Sequence, residues 1–321
     1  MNFPFKLTDT KTFDVVGFGT NAVDFLIQVP QYPDFNSKVE LIDHTVAPGG
    51  EVATTMVGLS RLGLATQYVG RFGDDPEGDI GYDSLAGEGV DLKFAERVAG
   101  ARTQIAFIVI DARNGERTVI WKRDERLAYT PEAVPFEAVR DTRILHLTPH
   151  DTAACISLAR EARNAGAIVS TDIDRVFEGI DELLPLVDVL IASADFPSAI
   201  TGIGEHRTAL SSLRSRFGCP VVGITLGSEG SLTLCPDGFV HSPAFEVPGG
   251  CKDTTGAGDS YRVGFLYGLV RGSTIEESCS MANAVAALKC RAVGARTSLP
   301  LPAEVDALIK GLDTKVKSVL T

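Results

Sequence analysis

DTTGAGD, residues 253–259, leads directly into Ser260–Val270, a stretch that is predicted to form a helix. The three small residues Gly256, Ala257 and Gly258 leave backbone N–H groups uncovered at the helix start, where these groups have no intrahelical acceptor. The aligned peptide dipoles add about half a positive charge at such an end. The sequence therefore predicts an anion site here, suited to a phosphate or to a phosphoryl group in transfer.

Asp259 closes this segment with a charge opposite to that of the helix start. A carboxylate beside an anion site is a poor phosphate ligand but a good general base, because it can take the proton of a hydroxyl that attacks phosphorus. The segment therefore indicates a phosphoryl-transfer centre. The alternative is a capped turn without chemistry, since Asp favours helix N-caps and Gly and Thr are common in loops.

The same heptapeptide, with Gly264 and Gly268 on the following helix, resembles the C-terminal signature of the ribokinase-like carbohydrate kinases, the phosphofructokinase-B family. In that family the second Asp of the signature is the catalytic base, and the GAG segment is the anion hole. The resemblance implies these roles for Asp259 and for residues 256–258. It also implies ATP and Mg²⁺ as cofactors.

The composition indicates a globular protein. The 321 residues, 44% of them hydrophobic, suffice for one large domain or two modest ones. A formal net charge of −12 repels polyanions, so no nucleic-acid partner is expected. The N-terminal segment MNFPFKLTDTKTF lacks a basic start before an apolar run, and no stretch approaches the roughly 18 apolar residues of a membrane span. We expect a cytoplasmic protein without membrane contact.

The segment Gly17–Ala22 spells G-x-G-x-x-A after the short apolar strand Phe13–Phe18, which raises the alternative of a nicotinamide-dependent dehydrogenase. A dinucleotide fold would continue with a helix at this point. Instead Asp24–Val29 alternates as a strand does, and strand-like residues resume at Lys38–Val46. Strand after strand argues against dinucleotide binding.

Asp24 and the glycine pair Gly49–Gly50 are the predicted substrate contacts. Two glycines before a helix permit a ligand to touch the backbone, although a pair of helix-capping glycines is the plainer alternative. The resemblance assigns Asp24 to sugar hydroxyls and the glycine pair to the substrate. Relatives often carry Asn four residues after the second Gly, where this chain has Thr54. Thr54 keeps a hydroxyl but lacks the amide, which leaves the identity of the sugar open.

The strands Thr103–Asp111 and Glu116–Lys122 flank Asn114-Gly115, a strong hairpin signal. Such a hairpin does not belong in a parallel sheet. In the family a small sheet of this kind covers the sugar as a lid and can serve in dimerisation. We therefore expect one domain, residues 1–321, with a lid of about 23–47 and 94–126 and a homodimer formed through it. Arg117 can reach a substrate or a phosphate, and a solvated arginine is the alternative.

From residue 143 onward strands and helices alternate, with strands predicted at 143–147, 167–171, 187–192 and 221–226. This spacing indicates a three-layer α/β/α fold with a mainly parallel sheet and helices on both faces. Ligands of such sheets lie beyond the carboxyl ends of the strands. Together with the lid, the pattern agrees with a ribokinase-like architecture.

The segment Thr225–Gly230, TLGSEG, resembles the family's strand end that contacts nucleotide. The resemblance implies nucleotide contacts at Thr225, Gly227 and Gly230, and an adenine-side position at Asn283. A plain glycine-rich turn into a hairpin is the alternative for the first three residues.

The family often ties magnesium and phosphate to an Asn-x-x-Glu motif, where this chain has Ser193 and Phe196. Magnesium binding is therefore not transferred residue by residue, and Ser at the first position is a ketohexokinase-like feature. Gly294 and Ala295 match a loop that, with the Asp253 region, often holds a potassium ion (K⁺) in relatives. Two carbonyls and a carboxylate would suit that ion.

These features predict ATP-dependent phosphorylation of a hydroxyl on a sugar or sugar-like molecule, such as a ketohexose or ribose. Nucleosides and 2-keto-3-deoxygluconate are alternative substrates for the same scaffold. The departures at Ser193 and Phe196 keep a second class open, a sugar or nucleotide sensor that retains the binding site but not the chemistry.

Overall fold

Two sheets organise the chain in the computed structural model, which describes residues 1–9 and 11–319. The strands within these residues are β1 (Phe13–Phe18), β2 (Ala22–Val29), β3 (Asp43–Gly49), β4 (Thr66–Gly73), β5 (Ala95–Val98), β6 (Ile105–Asp111), β7 (Arg117–Lys122), β8 (Thr142–Leu147), β9 (Ile168–Ile173), β10 (Val189–Ser193), β11 (Val221–Thr225), β12 (Ser231–Cys235) and β13 (Gly238–Ser242). The helices are α1 (Glu51–Arg61), α2 (Pro76–Gly87), α3 (Phe136–Arg140), α4 (Thr152–Asn164), α5 (Ile180–Leu183), α6 (Phe196–Thr201), α7 (His206–Phe217), α8 (Ala257–Val270), α9 (Ile275–Lys289) and α10 (Pro302–Val319).

The large sheet has nine strands in the order β13-β12-β11-β10-β9-β8-β1-β4-β5. The pairs from β11 to β5 are parallel, and β12 and β13 form an antiparallel edge. Successive strand residues face opposite sides, so Val15 joins the core under α1, α2, α8, α9 and α10, whereas Val16 joins the core under α3 to α7. The predicted α/β/α fold is confirmed.

Two glycines of α8 set how closely it packs against α9. A Cβ atom at Gly264 would lie 2.5 Å from Ala282 Cα, and one at Gly268 would lie 2.5 Å from Ser278 Oγ. Helix α9 is fixed at its own start by a capping box between Thr274 and the glutamate three residues later. Close packing of α8 against α9 holds the N-terminus of α8 in place near the carboxyl ends of the large-sheet strands.

The small sheet has four strands in the order β3-β2-β6-β7, with antiparallel outer pairs and a parallel central pair. The predicted turn at Asn114-Gly115 connects β6 and β7, and Gly115 has a φ of 75° that favours glycine. Strand β5 lies within the second predicted lid segment but pairs with β4 in the large sheet. The lid is the four-stranded sheet formed by residues 22–49 and 105–122.

Some predicted elements differ in length from the observed ones. The strand predicted at Lys38–Val46 is observed as β3, which begins only at Asp43 and continues to Gly49. Helix α10, which the sequence analysis did not predict, follows α9. In the part of the chain that is described, no helix has the length and apolar character that crossing a membrane requires.

Candidate active site

A cavity of about 630 Å³ lies between the lid and the carboxyl ends of the large-sheet strands. Most of the predicted site residues line it: Asp24, Gly50, Arg117, Thr225, Gly227, Gly256, Ala257, Gly258 and Asp259. Five predicted residues lie outside its lining, as far as the described chain shows: Gly49, Thr54, Gly230, Asp253 and Asn283. The fold therefore brings residues from the N-terminal and the C-terminal halves of the sequence together at one cavity.

Helix α8 begins at Ala257, three residues earlier than predicted, with Gly256 as its N-cap. Gly256 has a φ of 76°, and a Cβ atom there would lie 2.9 Å from the Ala295 side chain. Only glycine meets both conditions without strain. The first-turn N–H groups and the positive end of the helix dipole therefore adjoin the cavity at Ala257 and Gly258.

Asp259 lies in this first turn and lines the cavity. Burial raises the pKa of Asp259 well above its ordinary value, and the charges of Asp172 and Glu51 raise it further. Arg262 and Arg117 oppose the shift. A carboxylate with a raised pKa is a stronger base when ionised, as proton abstraction from a hydroxyl requires.

Arg262 is a site residue that the sequence analysis did not identify. Its guanidinium lies 2.5 Å from Asp172 Oδ1 and donates to the Ile191 carbonyl at 3.0 Å. A Cβ atom at Gly258 would lie 2.7 Å from Arg262 Nη1, so the guanidinium lies against the first turn of α8. The available signal was a single charge within the apolar helical run Tyr261–Phe265.

Glu51, the first residue of α1, adds a second polar pair to the cavity. Its Oε2 lies 3.1 Å from His150 Nε2. Burial alone would raise the pKa of Glu51, but the hydrogen bond with His150 and the charge of Arg262 hold the pKa below its ordinary value. Trp121 of the lid packs edge-on against His150 with ring centroids 6.0 Å apart, so lid and core are in contact here.

Asp24 lies on lid strand β2, 4% exposed, with its carboxyl group against Gly49. A Cβ atom at Gly49 would lie 2.0 Å from Asp24 Oδ2, so glycine is needed there to make room for the carboxylate. Burial raises the pKa of Asp24 to about 6, and the charge of Arg296 opposes the shift. The neighbouring Gly50, with a φ of 89°, caps α1 and lines the cavity.

Arg296 is a second buried cation that sequence reasoning missed. It donates to Thr54 Oγ1 at 3.3 Å, to Ser84 Oγ at 2.9 Å and to the Gly49 carbonyl. Thr54 is itself fully buried. Its hydroxyl therefore faces Arg296 behind the cavity, and the arginine holds the backbone that carries the glycine pair.

The lid hairpin contacts the signature directly. The Thr254 N–H and Oγ1 both donate to the Gly115 carbonyl, at 3.0 and 2.9 Å. Arg117 donates to Thr254 Oγ1 at 3.0 Å from the cavity wall. The tip of the lid and the loop before α8 are thus one hydrogen-bonded unit.

The predicted nucleotide residues divide into two groups. Thr225 and Gly227 line the cavity at the end of β11. Gly230 has a φ of 90° in a tight turn, and a Cβ atom there would lie 2.0 Å from the Ser242 carbonyl oxygen. The Asn283 amide donates to Ser242 at 3.0 Å, which fixes β13 to α9. Gly230 and Asn283 are therefore part of the scaffold and not of the cavity lining.

The two residues at the Asn-x-x-Glu position, Ser193 and Phe196, differ in where they lie. Ser193 lines the cavity and donates to the Asp174 carbonyl at 3.0 Å. Phe196 is fully buried in the core. The described residues contain no cluster of three or more His, Cys, Asp or Glu side chains that could hold a metal ion.

Asp253, the predicted potassium ligand, has hydrogen-bond partners within the protein at its carboxylate and its carbonyl. Its Oδ1 accepts from the Thr255 N–H and its Oδ2 from the Gly294 N–H, both at 2.8 Å. The fully buried Lys289 ammonium donates to the Asp253 carbonyl at 2.8 Å and lies 3.7 Å from Oδ2. An ammonium group therefore lies beside the Asp253 oxygens that were predicted to bind potassium.

Comparison with known proteins identifies relatives along most of the chain. The model of the pfkB family carbohydrate kinases matches residues 13–302. The ATP-dependent ribose-1-phosphate kinase of Halopiger xanaduensis is 30% identical over 279 residues, which cover 86% of this chain and 91% of that protein. The fructokinase of Klebsiella pneumoniae is 30% identical over 275 residues, which cover 79% and 89%.

A solved structure agrees with these matches. The ribokinase of Arabidopsis thaliana, complexed with ribose and ATP, superposes with a TM-score of 0.79 at 25% identity. The superposition covers 93% of this chain and 99% of the ribokinase. The similarity therefore includes the lid as well as the core.

Proposed function

We propose a function from one premise: the chain belongs to the pfkB family of carbohydrate kinases. The enzyme transfers the γ-phosphoryl group of ATP to a hydroxyl of a sugar or sugar-like molecule, with ribose-like or fructose-like compounds as the substrate class. The observation that carries the proposal is the Asp259 carboxyl group in the first turn of α8, at a cavity of about 630 Å³. A base and an anion site adjoin there.

The sugar is held at the lid side of the cavity. The Asp24 carboxylate accepts hydrogen bonds from sugar hydroxyls, and the Gly50 backbone approaches the ring because no side chain intervenes. Arg296 keeps this backbone in position through the Gly49 carbonyl. Bound between lid and core, the acceptor hydroxyl is shielded from water that would otherwise take the phosphoryl group.

The reaction takes place at the start of α8. Asp259 accepts the proton of the attacking hydroxyl, while the N–H groups of the first turn stabilise negative charge on the phosphoryl oxygens. Arg262, which lies against this turn, adds a fixed positive charge. Arg117 contacts the phosphate from the lid, and Thr225 and Gly227 contact the nucleotide.

Asp174 and Glu51 fit the requirements of Mg²⁺. Both line the cavity, and after burial the charge of Glu51 is the main cause that raises the pKa of Asp174. Mg²⁺ commonly takes one or two carboxylates together with substrate phosphates and waters, so no larger protein cluster is needed. When bound, Mg²⁺ supplies neutralisation of charge on the transferred group.

The outer face of the lid supports a homodimer as a further part of the proposal. The register aligns Val46, Phe25, Phe107 and Ile120 in one row across the four strands. Val46, Phe107 and Ile120 are 45%, 44% and 59% exposed. Such a row is an aggregation risk unless a second copy covers it. Light scattering should give a dimer for the wild type and a monomer for Phe107→Glu, and a wild-type monomer would contradict this part.

The proposed activity is tested with a panel of ribose, ribose 1-phosphate, fructose, nucleosides and 2-keto-3-deoxygluconate. ADP release identifies the acceptor, and calorimetry measures its affinity. Asp259→Asn should lower kcat by about 10² to 10⁴ with the sugar affinity unchanged. Asp195→Asn, at an exposed aspartate outside the cavity lining, serves as the matched control.

Two outcomes would refute the proposal. Equal kcat values for the wild type and Asp259→Asn would exclude Asp259 as the base. Sugar or nucleotide binding without ADP release from any acceptor would indicate a sensor instead of an enzyme.

A further inference from the structure

Lys289, the last residue of α9, is fully buried yet carries a basic group. Its Nζ donates to the Asp253 carbonyl at 2.8 Å and lies 3.7 Å from the carboxylate of the same residue. Burial lowers the pKa of Lys289, and the Asp253 carboxylate opposes that shift. A fully buried lysine is unfavourable unless its charge is paired, because burial takes the ammonium out of water.

The two oxygens beside this ammonium, the carbonyl and the carboxylate oxygen of Asp253, are groups that a monovalent cation would also bind. The Asp253 carboxylate is held by the Thr255 and Gly294 N–H groups, and Ala295 follows directly in the same loop. A potassium ion at these oxygens would lie close to the ammonium in a buried site, where two like charges repel strongly because little water screens them. Potassium and Lys289 therefore exclude each other.

The position matters because the same loop shapes the anion site. Asp253 precedes Thr254, whose carbonyl accepts the Ala257 N–H at 3.1 Å at the start of α8. Gly256 packs against Ala295, so the loops that meet Lys289 also bound the N-cap of α8. A charge that fixes Asp253 thereby fixes the first turn.

We propose that the Lys289 ammonium is a built-in substitute for a monovalent cation, which orders the loop at 253–256 and makes the enzyme independent of K⁺. Lys289 is a positioning residue, since it acts through Asp253 and does not itself line the cavity. The catalytic consequence rests on the proposed kinase function. The structural consequence, a loop at 253–256 that is ordered without K⁺, does not depend on the kinase function.

The first test compares the wild type in potassium chloride and in tetramethylammonium chloride at equal ionic strength, because tetramethylammonium is too large for a site of this kind. Thermal unfolding and ADP release are measured in both salts. We expect equal melting temperatures and equal kcat values. A melting temperature or kcat that rises selectively with K⁺ in the wild type would overturn the proposal, whatever the variants do.

The second test uses Lys289→Ala, which removes the charge and opens space, and Lys289→Met, which removes the charge but fills the space. Both should lower kcat by about tenfold to a hundredfold with KM little changed, because the first turn loses its support. K⁺ or ammonium should raise the melting temperature and kcat of Lys289→Ala selectively, since a cation that binds only the folded form stabilises it. Lys289→Met should not respond.

Lys252→Met, at an exposed lysine of the same loop, is the matched control and should behave as the wild type does. If Lys289→Ala folds but no small cation stabilises it, the proposal that the Lys289 ammonium replaces a monovalent cation is refuted. If neither variant folds, the wild-type comparison still decides. If no acceptor yields ADP in any salt, the kinase proposal fails, whereas the melting temperatures still test the role of Lys289.

Discussion

The affinity for a neutral sugar should depend on pH through Asp24. Burial raises the pKa of Asp24 to about 6, so nearly every molecule carries the carboxylate at pH 8 but only about one in ten does at pH 5. A protonated carboxyl group has lost most of its capacity to accept hydrogen bonds from sugar hydroxyls. We therefore expect the Kd to rise about tenfold between pH 8 and pH 5, with the midpoint near pH 6.

Calorimetry without nucleotide measures this effect, with an unphosphorylated sugar so that the ligand does not titrate. Trp121, the one tryptophan of the chain, lines the cavity and provides fluorescence as a second readout. Asp24→Asn should weaken binding by about tenfold to a hundredfold, since hydrogen bonds to charged groups contribute about 1.5–3 kcal/mol. Its Kd should no longer change with pH. Asp43→Asn, at an exposed residue of lid strand β3, should keep the wild-type slope.

The Asp24 assignment has a direct competitor, because the pKa of Asp259 is raised in the same cavity. Asp259→Asn separates the two, since it should leave the pH dependence of sugar binding intact. A wild-type Kd that is constant from pH 5 to pH 8 would refute the reasoning. So would a slope that persists in Asp24→Asn and disappears in Asp259→Asn.

Three further predictions concern the start of α8. Gly256→Ala should lower kcat strongly, because alanine is strained at a φ of 76° and its Cβ would lie 2.9 Å from the Ala295 side chain. Steady-state kinetics measures the loss of kcat, and a melting curve shows whether the variant is still folded. Asp259→Asn should raise the melting temperature at neutral pH. The folded-state pKa of Asp259 lies above its unfolded value, so Asp259 costs increasing stability as the pH rises from the unfolded pKa to the folded-state pKa, and the gain should vanish towards about pH 4. Asp172→Asn should move the acid limb of the kcat/KM profile to lower pH, because it removes a neighbouring negative charge and frees Arg262; an unmoved limb would contradict the coupling.

Much of this site was predictable because its signals are local. The small residues before α8, the carboxylate three positions after its N-cap and the Asn114-Gly115 turn each lie within a few residues of the structure that they specify. The alternation of strands and helices after residue 143 gave the parallel sheet for the same reason. Local chemistry therefore predicted the hairpin and the glycine-rich helix start that carries Asp259, whereas the roles of base and anion site stay predictions.

The buried cations were not predictable, because their partners are distant in sequence. Arg262 pairs with Asp172, Arg296 supports Gly49, and Lys289 binds Asp253. No pattern within a window of ten residues signals such a pair. Each cation lies on or after a late helix and reaches an element encoded well before it.

Thr54, Gly230 and Asn283 illustrate a second limit. Their neighbours in sequence match a ligand-binding pattern, yet their polar or backbone atoms serve the scaffold behind the cavity. Sequence spacing specifies which residues share a loop or a helix. It does not specify which of them point into the space between two sheets, because that depends on how the lid is oriented over the core.

The contacts of Thr254 connect these observations. Its N–H and hydroxyl hold the Gly115 carbonyl of the lid, its own carbonyl holds the first turn of α8, and Asp253 before it is held by Lys289. The anion site, the lid and the buried ammonium are therefore not independent parts. A change at Lys289 that moves Asp253 is therefore expected to reach both the hairpin tip and the start of α8 through Thr254.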